Sequence, residues 1–134
     1  MKATVTLLLV FVLIGSGFAQ EKSSKITPLE IVNKRMDLYN QHNFSEFIKL
    51  YADGVEIYTY PDQLLAVGKD NLTSIFEPKF AAKSIKVEIV SQMNNGDYVI
   101  NYEIVTEEGK ETKYVSIYEV SNGLIKSVKF VRDR

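Results

Sequence analysis

Apolar residues at Phe44, Phe47, Ile48 and Tyr51 follow the i, i+3, i+4, i+7 spacing of one helical face. The period then changes. Val55, Ile57 and Thr59 alternate with Glu56, Tyr58 and Tyr60, the pattern of a half-buried strand that ends at Pro61. Asp53-Gly54 stands between the two periods as a turn pair. Upstream, Thr27-Pro28-Leu29-Glu30 is a helix start, with Thr27 as N-cap, Pro28 at the first helical position and Glu30 three residues beyond the cap. Leu29, Val32, Met36 and Tyr39 give this helix a buried stripe, widened by Ile31 and Leu38, that runs to about Gln41. Asn43 or Ser45 caps the next one.

Beyond the first strand, Asp62 to Val67 reads as a loop carrying Leu64-Leu65. A third helix begins near Lys69 with Leu72, Ile75, Phe76 and Phe80 on its apolar face, and Pro78 should kink or end it near Glu77. The rest of the chain is strand after strand. Ile85, Val87 and Ile89 alternate with Lys86 and Glu88, and turns follow at Asn94 to Asp97, at Gly109 and at Asn122-Gly123. Helices segregated from a run of hairpin-linked strands mean an α+β domain, three N-terminal helices packed on one face of a curved antiparallel sheet. The strands are apolar on both sides: Val99 and Val105 oppose Ile100, Tyr102 and Ile104, and Val115 and Ile117 oppose Tyr114, Tyr118 and Val120. Such a sheet needs cover on both faces. The helices supply one, and a second copy of the chain is the expected cover for the other, making a homodimer.

Residues 1–19 read as an export signal. Lys2 gives a positive start, Leu7 to Ile14 is an unbroken apolar run, and Gly17 and Ala19 are the small residues a signal peptidase requires. Gly15, Ser16 and Gly17 break the run short of the ~20 residues a membrane span needs. Cleavage after Ala19 would leave 115 of the 134 residues: a polar linker at 20–27 and one domain at 28–134, secreted or periplasmic and free of the membrane. The formal net charge of −1 gives no electrostatic reason to expect nucleic acid as partner. Without a single cysteine, the domain depends on its packed core and uses no disulfides.

Candidate chemistry is sparse. His42 is the only histidine and falls in a turn between helices, so with no cysteine a zinc site or a Ser-His-Asp or Cys-His nucleophile is excluded. No glycine-rich phosphate loop is present; Gly96, Gly109 and Gly123 belong to turns. No cofactor or metal is expected, and the glutamates between Asp97 and Glu111 are ordinary hairpin charges. Asn43 and Asn71 begin formal glycosylation sequons and also suit helix caps or surfaces.

Tyr39-Asn40 closing the first helix, Leu50-Tyr51-Ala52-Asp53, Val55-Glu56-Ile57-Tyr58, Tyr60-Pro61-Asp62 and the closing Ile117 to Phe130 hairpin together resemble the SnoaL-like members of the nuclear transport factor 2 superfamily. The resemblance covers about Pro28 to Val131. It implies the NTF2-like, or cystatin-like, conical half-barrel with a pocket between helices and sheet, a scaffold that hosts isomerases, lyases, hydrolases and non-catalytic binders. In the steroid isomerases of that group the base is an aspartate at the end of the first strand. Here that place falls on Thr59 or Tyr60, and the helix-1 phenol falls on Arg35. Both depart from the isomerase pattern. The resemblance leaves Asp62 and Glu103 as candidate catalytic carboxylates, and Tyr39, Tyr58, Thr59, Tyr60 and Tyr102 as candidate ligand-binding residues. The expectation is an exported module that binds a small, mostly apolar or aromatic molecule. An isomerase, lyase or hydrolase using a pocket carboxylate is the alternative, and a structural dimer without ligand a second.

Overall fold

A computed structural model of the chain describes residues 25–133, so the export signal at 1–19 and most of the linker at 20–27 lie outside the described residues. Helix α1 spans Pro28–Asn40, α2 spans Phe44–Phe47, and a short 3-10 turn, Ile48–Leu50, leads into strand β1, Tyr51–Thr59. Strand β2 (Gln63–Val67) and helix α3 (Lys69–Ala82) follow, then β3 (Ile85–Asn95), β4 (Tyr98–Glu107), β5 (Lys110–Ser121) and β6 (Leu124–Arg132). The six strands form one sheet in the order β2-β1-β6-β5-β4-β3, with the helices on its inner face.

The local signals act as their chemistry requires. Thr27 and Glu30 close a reciprocal capping box on α1, and the Asn43 side chain, not Ser45, caps α2 by accepting from the Glu46 N–H. At the other end of α1, Asn40 behaves like a strand residue. Its side chain accepts from the Val87 N–H (2.7 Å) and donates to the Val87 carbonyl (2.9 Å), satisfying the edge of β3. His42 adopts a left-handed backbone (φ 57°), and its Nε2–H donates to the Ile85 carbonyl at 2.9 Å, fastening the same edge.

Four features differ from the sequence reading. The sheet is mixed: β1 lies parallel to β6, pairing Ile57 with Val128 and Thr59 with Phe130, while the other pairs are antiparallel. Residues 63–67 are not a loop but an edge strand, joined to β1 by a turn with a cis Tyr60–Pro61 bond; only Ala66 of the five is buried, so alternation is missing. Asp53-Gly54 does not end an element. The pair lies in an irregular stretch of β1, where the register against β6 shifts between Tyr51 and Glu56. Finally, Pro78 does not stop α3, which continues to Ala82 because Phe80 packs under Tyr39, Phe44 and Phe47 at ring separations of 5.4, 5.5 and 4.7 Å. Packing outweighs the lost hydrogen bond.

The core lies between the helices and the inner face of the sheet. Phe47 is its centre, wholly buried against Tyr51, Phe76 and Phe80. On the outer face two cross-strand rows stay uncovered by the chain itself. One runs Met93–Ile100–Ile117–Lys129 and the next Ser91–Tyr102–Val115–Val131. Met93 is 60% exposed there.

Candidate functional site

Strand parity and helix periodicity bring a defined set of side chains together around a cavity of about 350 Å³ between α1, α3 and the inner sheet face. Helix α1 contributes Arg35 and Tyr39, one turn apart on the face turned to the sheet. Ile75, Phe76 and Lys79 come from α3, with Leu65 of β2 beside them at the rim. The strands supply apolar wall at Ile57, Val87, Val105 and Phe130, and polar atoms at Thr59, Glu103 and Tyr114. At the mouth Lys79 pairs with Glu107 at 3.1 Å, near Arg132. This pair is part-exposed and contributes little to stability.

Two buried charges mark the floor. Arg35 is only 3% exposed, and its guanidinium lies against the rings of Phe47 and Tyr118 (5.2 Å each) and Tyr39 (5.7 Å). Its Nε–H donates to the Tyr51 hydroxyl at 2.6 Å. Burial works against that charge, but Tyr118, Tyr51 and Glu103 outweigh it and hold the group above its ordinary value, so Arg35 is a permanent cation. Glu103 is enclosed by donors. Ser116 donates to one carboxylate oxygen at 2.6 Å, the Tyr118 hydroxyl bridges both at 3.0 and 3.2 Å, and the Asn101 amide reaches the second at 3.4 Å. Burial also raises the phenols: Tyr39 is pushed up to about 12, and Tyr51 and Tyr118 are raised as well. At neutral pH these tyrosines are neutral phenols: Tyr118 donates to Glu103, and Tyr51 accepts from Arg35.

Of the residues singled out from sequence, the cavity brings together Tyr39, Thr59 and Glu103. Tyr58 and Tyr60 do not line it. With Thr59 facing inward, its neighbours alternate outward: Tyr58 donates to the Glu56 carboxylate under Lys129, and Tyr60 is 59% exposed past the strand end. Tyr102 alternates with Glu103 in the same way and stands on the outer face opposite Val115. Asp62 lies exposed in the β1–β2 turn, away from the cavity lining, so Glu103 is the carboxylate of the two that the fold brings to the wall. Sequence reasoning passed over Arg35 as a site residue. The signal was present, since Arg35 sits three residues after Val32 and four before Tyr39, inside the apolar stripe of α1. Among the described residues no group of three His, Cys, Asp or Glu side chains gathers to hold a metal, and no helix is long and apolar enough to cross a membrane.

A family model, the SnoaL-like domain, matches residues 32–128. The chain belongs to the SnoaL-like domain family. Curated protein sequences give no match. Among solved structures the domain is similar to an NTF2-like protein of unknown function from Cytophaga hutchinsonii, at TM-score 0.72 and 18% identity over 83% of this chain and 94% of that one. It is also similar to a cystatin-fold protein from Novosphingobium aromaticivorans, at TM-score 0.70 and 21% identity over 79% and 98% of the two chains. A computationally designed 17-OHP binder superposes at TM-score 0.67 and 20% identity, over 78% and 92%. At these identities the likeness is one of fold, and it makes this SnoaL-like domain an NTF2-like α+β half-barrel.

Proposed function

We propose that this SnoaL-like domain binds a small, mostly apolar or aromatic molecule in the cavity between its helices and sheet. The observation that carries the reading is the composition of that wall. Ile57, Val87, Val105, Phe76 and Phe130 supply apolar surface, and a few polar groups converge on it, the usual make-up of a ligand site. The designed 17-OHP binder is an instance of ligand binding on the same architecture. Glu103 gives a catalytic reading its one foothold, as a carboxylate on the wall. Its oxygens are taken up by Ser116, Tyr118 and Asn101, so it serves better as a polar anchor of the sheet than as a base with a free lone pair.

The reading includes two further proposals. The domain works as a homodimer through the outer sheet face, where Met93, Ile100, Tyr102, Val115 and Ile117 make a contiguous apolar surface suited to a two-fold, self-complementary contact. It is also exported, with residues 1–19 removed after Ala19, on the strength of the apolar run and the small residues before the cut. Native mass spectrometry of the protein purified from its own source tests all three. The expected species is a dimer of chains beginning at Gln20 with additional small-molecule mass. A bare dimer that takes up no ring compound would leave a structural role, and a bare monomer would refute the sheet-face contact. Turnover that disappears in Glu103→Gln while the fold persists would favour the enzyme.

A further inference from the structure

Arg35 is the most heavily buried cation in the cavity, and the fold leaves it short of partners. A guanidinium carries five N–H groups. Here Nε–H goes to the Tyr51 hydroxyl and Nη1 meets only the Met36 sulfur at 3.7 Å, while Nη2 makes no hydrogen bond among the described residues. No ion pair includes Arg35 among those residues either. Every fully enclosed side-chain nitrogen and oxygen there has a partner, so the unpartnered Nη2 keeps some accessible surface, and Arg35 lines the cavity. Glu103 supports the Arg35 charge through space but gives its oxygens to three other donors, and Glu107 pairs with Lys79.

From this mismatch we infer that the molecule bound in the cavity is an organic acid, whose carboxylate or equivalent oxyanion docks on the free edge of the Arg35 guanidinium while its ring or chain lies along the apolar wall. The inference rests on the binding reading above and narrows it. A purely apolar ligand would strip water from those N–H groups and give nothing back. A cationic one would meet Arg35 with no free carboxylate to answer it. An acid breaks no existing ion pair, and the planar fork of the guanidinium matches two carboxylate oxygens. The Phe47, Tyr118 and Tyr39 rings hold the fork in place, so little freedom is lost on docking. Three cationic side chains against two carboxylates around the lining give the cavity a field of the right sign.

The test uses one ring with and without the charge: 2-naphthoate and methyl 2-naphthoate, titrated into the purified protein by calorimetry. The expected result is at least about tenfold tighter binding of the acid, the lower range for one charge-assisted contact. Arg35→Met should abolish the preference, so that the acid binds no tighter than the ester, and Arg35→Lys should keep part of it. Should Arg35→Met fail to fold, the comparison on the unaltered protein still decides the sign. An ester that binds as tightly as the acid overturns the inference and leaves the cavity-binding reading standing. An acid preference that survives in folded Arg35→Met overturns it too. Failure of both compounds to bind removes the binding reading itself.

Discussion

Replacing Glu103 by Gln asks whether the carboxylate is held by the sheet or merely sits in the cavity. Gln keeps the shape and one acceptor oxygen. Placed over Oε1, that oxygen still accepts from Ser116 and Tyr118, but as a neutral acceptor. The new amide then faces the Asn101 Nδ2 donor, and Asn101 cannot turn over freely because its own oxygen accepts from Gln92 at 2.8 Å. One buried donor–donor conflict costs about 1–3 kcal/mol, and exchanging charge-assisted bonds for neutral ones adds ~1 kcal/mol. The expected loss is therefore about 3 kcal/mol, a large share of the ~5–15 kcal/mol that holds a domain folded. Urea unfolding followed by circular dichroism reads it. With a slope of roughly 1.5 kcal/mol/M for a domain of this size, the midpoint should fall by about 2 M at unchanged slope. A loss below about 0.5 kcal/mol, or a gain, would refute the reasoning, because a carboxylate that can be neutralised without cost is not anchored by three donors.

Phe47→Ala removes the centre of the aromatic cluster and should cost about 3–5 kcal/mol in the same urea assay, and a loss below ~1.5 kcal/mol would mean the rings re-close over the cavity left behind. Asn40→Ala strips both partners from the Val87 peptide group and should cost ~2 kcal/mol, with faster amide exchange at Val87 by NMR than at Ile89. Alkali should weaken the fold before it attacks the chain. Tyr39, Tyr51 and Tyr118 hold their protons more tightly folded than unfolded, so their contribution is whole below the ordinary tyrosine value of 10.0 and is lost as pH climbs towards the folded value, about 12 for Tyr39. A urea midpoint that stays flat from about pH 9 to pH 12 would contradict this burial.

The elements governed by local chemistry were legible in the sequence. The capping box at Thr27, the turn at Asn122-Gly123 and the apolar face of α3 lie where their residue types place them. What escaped was decided by distant neighbours. Strand β2 shows no alternation because an edge strand with one buried residue in five has little to alternate about. The parallel β1–β6 pairing leaves no local mark, since nothing in residues 51–59 announces residues 125–130. Parity could not choose the inner face of β4, where Val99, Asn101, Glu103 and Val105 point in and Ile100, Tyr102 and Ile104 point out, each set mixed in polarity. Arg35 was hidden for a related reason. A charge within an apolar stripe reads as a flaw until the Tyr51 hydroxyl and three rings are seen around it.

The parallel seam between β1 and β6 also sets the timetable on which the molecule can be made. The meander β3–β6 closes through neighbouring hairpins, but β1 and its edge partner β2 join the sheet only through a strand some seventy residues downstream. In chain order α1, α2 and β1 come before the meander, and β1 lacks its β6 neighbour until residues 124–132 are present. Without β6, β1 and β2 have no strand through which to join β3–β5, because β6 lies between them. A chain cut before Leu124 should therefore be bound by chaperones or degraded, whereas the finished chain closes in one cooperative step when its final strand slides in beside the first.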